Sequence, residues 1–307
     1  MITKKTLFNA SFEESLNLDD DGFLQYQKRD VFSKLEKSYR KGRPTVGLHI
    51  QNIILVLLGP IAINFMILVF SLSLHESNPK DLTIPISRFT LLTTEVYLIC
   101  LLLWIFLIIL GKIFRKGYIL PYRNHFHVIT FIIWFSLELN LLAIDVSLPT
   151  LSIWGIVAIF GLMLILSYVM FTGRVRRLKT LLYGTDVSPS LSDKIASKLA
   201  VYGMGILGLG VIINFILKSF SIKFSTSMEG LGLLLTWIVL NVAIIAMLVF
   251  LELPCYLQAY YKWKYPEEYR EWEGKSLEDW YGKRYLKKHP ELLEREDYNH
   301  NRKEDTI

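Results

Sequence analysis

The sequence predicts an all-α fold: a polytopic membrane helix bundle of about six transmembrane helices with both termini on the cytoplasmic side. Three observations predict it. Hydrophobic residues make up 52% of the 307 residues and are gathered in blocks rather than at amphipathic spacing. A soluble helix carries an apolar stripe opposite a polar face. These blocks are apolar on every face for about twenty residues, the length that crosses about 30 Å of hydrocarbon. Basic residues, finally, alternate from loop to loop.

The blocks fall at 47–72, 89–111, 128–146, 153–172, 199–217 and 231–254, so the transmembrane domain runs over 47–254. Residues 1–46 form a cytoplasmic segment ahead of it and 255–307 a cytoplasmic appendage and tail. Residues 1–43 are polar and charged, so no cleavable leader is expected there and the first span serves as its own insertion signal. Phe32, Leu35 and Tyr39, interleaved with basic residues, predict a short amphipathic helix lying on the inner leaflet.

Orientation follows from the loops. Lys34, Lys37, Arg40, Lys41 and Arg43 precede the first span; Lys112, Arg115, Lys116 and Arg123 follow the second; Arg174, Arg176, Arg177, Lys179 and Lys194 follow the fourth. The other side carries only Lys80, Arg88, Lys218 and Lys223, fourteen basic residues against four. That alternation requires an even number of crossings with both ends inside. The net charge of +6 is thus a topology signal, and no nucleic-acid partner is expected.

Gly59 and Pro60 interrupt the first span, where the missing proline donor opens a kink. Pro149, in the polar stretch 147–152, marks a tight turn between the third and fourth spans. Gly203, Gly205, Gly208 and Gly210 open the fifth span. Without a preceding strand their spacing is no dinucleotide fingerprint, and they are read as a helix-packing face. After the sixth span, Pro266 with Glu267 and Glu268 begins a helix, Gly274 stops it, and Ser276 to Asp279 caps a second.

Charged groups inside hydrocarbon are the functional pointers, because each costs about 2.5–3.5 kcal/mol on insertion scales. Glu95, Glu138, Asp145 and Glu252 qualify as intramembrane ion or proton candidates. Glu138 and Asp145, seven residues apart, share a helix face about 10 Å apart along the axis. Glu95 is read at a similar depth, giving a shared polar pocket. Asn17, Asp19, Asp21 and Gly22 match half of a calcium loop, but Lys28 stands where a bidentate Glu is needed. His125 and His127 lack a third metal ligand nearby, and two cysteines, Cys100 and Cys255, build no thiol site. No metal or cofactor is expected, and no hydrolase, protease or phosphate-loop motif is present.

These features lead to a transport component, a permease or channel-like subunit working with a separate ATPase docked at Arg115, Lys116 and Arg123. The alternative is a non-enzymatic interaction protein, such as an immunity or accessory factor or a secretion-apparatus subunit, offering Trp263, Trp272 and Trp280 to a protein partner. An intramembrane enzyme using Glu138 or Glu95 as acid or base is the third class. The lipid bilayer is a partner in all three, and frequent Ile, Leu, Lys, Asn and Tyr point to a bacterial cytoplasmic membrane.

Overall fold

A computed structural model describes residues 5–26, 28, 46–78, 80, 82, 85–111, 117–184 and 226–293. The expected fifth span, the amphipathic stretch around Phe32 to Tyr39, Arg115, Lys116 and the four glycines from Gly203 to Gly210 lie outside them. Among the described residues every regular element is helical. In chain order these are α1 (Phe12–Leu16), α2 (Gly22–Tyr26), α3 (Val46–Val56), α4 (Ala62–Glu76), α5 (Thr94–Leu110) and α6 (Leu120–Tyr183). Then follow α7 (Thr226–Met247), α8 (Leu253–Lys264), α9 (Pro266–Trp272), α10 (Leu277–Tyr281) and α11 (Lys283–Leu286).

Three described helices are long and apolar enough to cross a membrane: Ile53–Glu76, His125–Tyr183 and Gly230–Lys264, with Thr94–Leu110 a shorter apolar helix. Their outward faces are apolar, as Met66, Leu102, Leu164 and Ile165 show by their exposure. Surfaces of that kind match lipid and not water. The chain has the helices of a membrane protein.

Two of these rods are interrupted where proline removes a donor. A π-helical turn, Leu57–Ile61, joins α3 to α4 around Pro60, whose carbonyl accepts from the Asn64 side chain at 2.8 Å. A second π turn, Leu248–Glu252, joins α7 to α8 just ahead of Pro254.

Helix α6 is a hairpin. Ser152 has φ 57° and ψ 170°, outside the helical region, and separates arms at 120–151 and 153–183. Trp237 of α7 donates to Asn140 Oδ1 at 2.7 Å and packs its ring on Phe160 at 5.6 Å. On a straight helix those two partners would stand about 30 Å apart. Likewise His125 reaches Glu252 while Arg174 reaches the carbonyl of Phe250 two residues away. Only antiparallel arms allow both. The helix runs through Pro149, and the reversal is concentrated at Ser152. A serine in this glycine-favouring region is strained by about 1–3 kcal/mol. Ser152→Gly is therefore expected to raise the unfolding midpoint in detergent, by relief of about 1 kcal/mol; an unchanged or lowered midpoint would count against the strain.

At the end of the bundle opposite Ser152, residues 5–26 and 253–286 pack into one body. Leu7, Ala10, Leu18 and Leu24 pack with Tyr118, Tyr122, Leu178, Leu182, Tyr261, Tyr269, Trp280 and Tyr281. Aromatic hydroxyls stitch it to backbone: Tyr261 donates to the carbonyl of Leu7 at 2.6 Å, Tyr265 to that of Ala10 at 2.9 Å, and Tyr183 to that of Thr6 at 2.7 Å. Burial pushes the Tyr118 hydroxyl up to about 12, and Tyr269 and Tyr281 up as well, so all three stay neutral. The N-terminal segment and the C-terminal appendage, separate pieces on the sequence, thus share a core.

Candidate functional site

The first arm of α6 turns one face inward at helical spacing. His127, Thr130, Trp134, Glu138, Leu141 and Asp145 recur every three or four residues, and Thr130, Trp134, Glu138 and Asp145 are buried. Two helices close on this face. From α5 come Tyr97, Cys100 and Trp104, with ring centroids of Tyr97 and Trp104 5.7 and 5.5 Å from Trp134. From α4 come Asn64, Leu68 and Ser71, all buried. At one end of the seam Gly111 permits close approach, since a Cβ there would stand 2.8 Å from His127 Cε1.

Glu138 is fully buried in the seam. Its Oε1 accepts from the Trp134 indole, one turn earlier, while Oε2 has no hydrogen-bond partner among the described residues. Tyr97 and Cys100 of α5 lie close enough to feel its charge. A half-satisfied buried carboxylate is costly and is left only where something offsets it.

The other acidic candidates are placed differently. Asp145 anchors the loop ahead of α5: its carboxylate accepts from the backbone N–H of Leu91 at 2.9 Å and from the Ser87 hydroxyl at 3.2 Å. Glu95 sits exposed in the first turn of α5, behind the Thr93 cap, and shares no pocket with Glu138. The carboxylate was expected deeper because the apolar block begins at residue 89. The helix begins only at Thr94, and a Glu in its first turn complements the backbone N–H groups there. Glu252 lies in the π turn, buried, with its Oε2 2.8 Å from His125 Nδ1.

No described group of three His, Cys, Asp or Glu side chains could hold a metal ion. Asp19 is paired with Lys28 at 2.6 Å and accepts from Gln258 at 3.0 Å, so that half-loop is spent on protein contacts. A shallow open groove of about 270 Å³ beside Phe171, Thr172, Val175, Arg176 and Lys179 contains none of the acidic candidates. Compared with known protein families, curated proteins and solved structures, the chain matches none. The site stands on its own geometry.

Of the aromatic residues read as docking points, Trp263 and Trp272 are exposed, but Trp280 is in the core, stacked on Tyr118 at 4.8 Å. Its surroundings rule it out as a free surface. Arg123 is half-buried beside His127 and its Nε makes no hydrogen bond among the described residues.

Sequence reasoning missed Arg174. It is 1% exposed, pairs with Asp21 at 2.9 Å, donates to the carbonyl of Phe250 at 3.1 Å, and lies between the rings of Phe23 and Phe250. The carbonyl is available because Pro254, four residues on, has no N–H to donate to it. Pro254, four residues after Phe250 at the end of the sixth apolar block, is the one local signal that pointed here.

Proposed function

We propose that the chain is a membrane transport component that crosses a bacterial cytoplasmic membrane six times, with both ends in the cytosol and Glu138 as its ion-accepting group. The observation that carries this reading is the burial of Glu138 in a three-helix seam with one oxygen unpartnered among the described residues. The joint packing of residues 5–26 with α8 to α10 supports an even number of crossings. Reporter enzymes fused after Leu74 and after Thr185 test the topology. The first is expected outside and the second inside; the reverse for either overturns the arrangement.

The transport reading is tested in proteoliposomes given a step in cation concentration or pH. Wild-type protein is expected to give a transient current that Glu138→Gln reduces by about a hundredfold, as removal of a proton- or ion-accepting group does. A correctly inserted wild-type protein that carries no current removes the reading.

A second reading, an interaction protein of the immunity, accessory or secretion type, is favoured by Trp263 and Trp272, 59% and 53% exposed on a body otherwise closed by its own aromatics. Deleting the whole appendage is a poor test, because α8 and α10 share a core with residues 5–26. Changing Trp263 and Trp272 to Ala leaves that core intact. Under this reading the double variant loses a partner that wild-type protein retains in mild detergent, and equal recovery speaks against it.

A further inference from the structure

We propose that the seam between α4, α5 and the first arm of α6 is a proton path, with Glu138 as its relay and the proton as the transported or coupling ion. This deepens the transport reading and rests on it. Six buried side-chain atoms along the seam have no hydrogen-bond partner among the described residues: Asn64 Oδ1, Ser71 Oγ, His75 Nε2, Trp104 Nε1, His127 Nδ1 and Glu138 Oε2. In a folded protein most buried polar atoms are satisfied by protein or by water. Within hydrocarbon each one left bare costs several kcal/mol. Six recurring along one seam mark a polar track through an otherwise apolar cluster, where bridging water would supply the missing partners.

The seam has the right length. His127 and Asp145 lie on the same inward face of one helical arm, about 27 Å apart at 1.5 Å per residue, against a hydrocarbon thickness of about 30 Å. Glu138 divides that distance. It stands about 10.5 Å from Asp145 and about 16.5 Å from His127 along the axis, too far for a direct hop and suited to short chains of water. A histidine stands at each of the two mouths. At one, His75 lies near enough to Asp145 for their charges to interact. Its Nδ1 is 2.9 Å from the carbonyl of Ser71, so Nδ1 carries a hydrogen and donates it there, while Nε2 has no partner among the described residues. At the other mouth is His127, pressed against the end of α5 at Gly111.

The chemistry favours a proton over a metal cation. Beside Glu138 are the Trp134 indole N–H, the Tyr97 phenol and the Cys100 thiol, a single oxygen rather than the ring of oxygens a bare cation needs to replace its hydration shell. The titratable groups facing Glu138 are Tyr97 and Cys100, both from α5; no described cation faces it. In each passage a proton arrives from water on one side, forms an O–H bond at Glu138 Oε2, and leaves from the same oxygen to water on the other side. No other bond changes.

The test is proton uptake into proteoliposomes with an internal pH dye under a potassium diffusion potential. Wild-type protein is expected to acidify the lumen. Glu138→Gln, which keeps an acceptor for Trp134, is expected to lower the rate by about a hundredfold, and Glu138→Asp by less. His75→Gln and His127→Gln are each expected to slow uptake while leaving the unfolding midpoint near that of wild type. Wild-type protein that moves Na⁺ or K⁺ but no proton overturns the proton path and leaves transport standing. Movement of neither ion overturns both. Unaltered proton uptake by Glu138→Gln removes Glu138 from the path.

Discussion

Replacing Arg174 with Met is expected to destabilise the protein by about 3–5 kcal/mol, the range found when one member of a buried ion pair is deleted. The guanidinium has three partners at once. Its Nη2 bonds Asp21 Oδ1 at 3.0 Å and the carbonyl of Phe250 at 3.1 Å, and Asp21 Oδ2 lies 2.9 Å away. Methionine fills the space between the rings of Phe23 and Phe250 but leaves a carboxylate charged and unpaired in a 1% exposed site. It also strands the carbonyl that Pro254 cannot satisfy. Asp21 has a second task, since Oδ1 caps α2 by accepting from the N–H groups of Phe23 and Leu24. Asp21→Asn keeps that cap and removes the charge. The double variant Arg174→Met, Asp21→Asn is therefore expected to recover part of the loss. Chemical unfolding of the detergent-solubilised variants measures both. A single-variant loss below about 1 kcal/mol would mean the pair is screened like a surface one.

How far the sequence could be read follows from the range of each interaction. Helices were legible because the information is local: apolar blocks of spanning length, Pro266 opening α9, Ser276 capping α10, and Gly274, at φ 62°, after the end of α9. The turn near Pro149 was legible for the same reason, though not its centre at Ser152, where no glycine advertises the unusual backbone. Glu95 was misjudged by treating the block from residue 89 as helix; Thr93, an ordinary N-cap residue, was the better guide. Arg174 and Asp21 could not be joined by any pattern, because 153 residues separate them. The same holds for Trp280 and Tyr118, and for the hydroxyls that tie α8 to residues 7–10. An exposed and a buried tryptophan look alike in a sequence. Glu138 was legible as an anomaly, a carboxylate in an apolar block, but the seam around it needed three helices to be brought together.

That difference between tryptophans predicts the second large effect. Trp280→Ala is expected to cost about 3–5 kcal/mol, as large-to-small changes of buried aromatics do. The indole is 3% exposed, lies parallel to Tyr118 at 4.8 Å, and has the Lys262 ammonium 5.5 Å from its ring. Lys262 is itself buried and held by Glu273 at 2.6 Å. Losing the ring removes a packing surface and also admits water beside an ion pair that depends on its shelter. Because α10 and residues 5–26 share this core, the loss should spread to the N-terminal segment. Hydrogen exchange is expected to rise in residues 5–26 and 253–293 together, while the inward face of the first arm of α6 stays protected. Trp272→Ala and Trp263→Ala, on the exposed side of the same body, should shift stability by no more than about 0.5 kcal/mol. Equal effects at all three positions would mean that the two chain ends do not share a cooperative core.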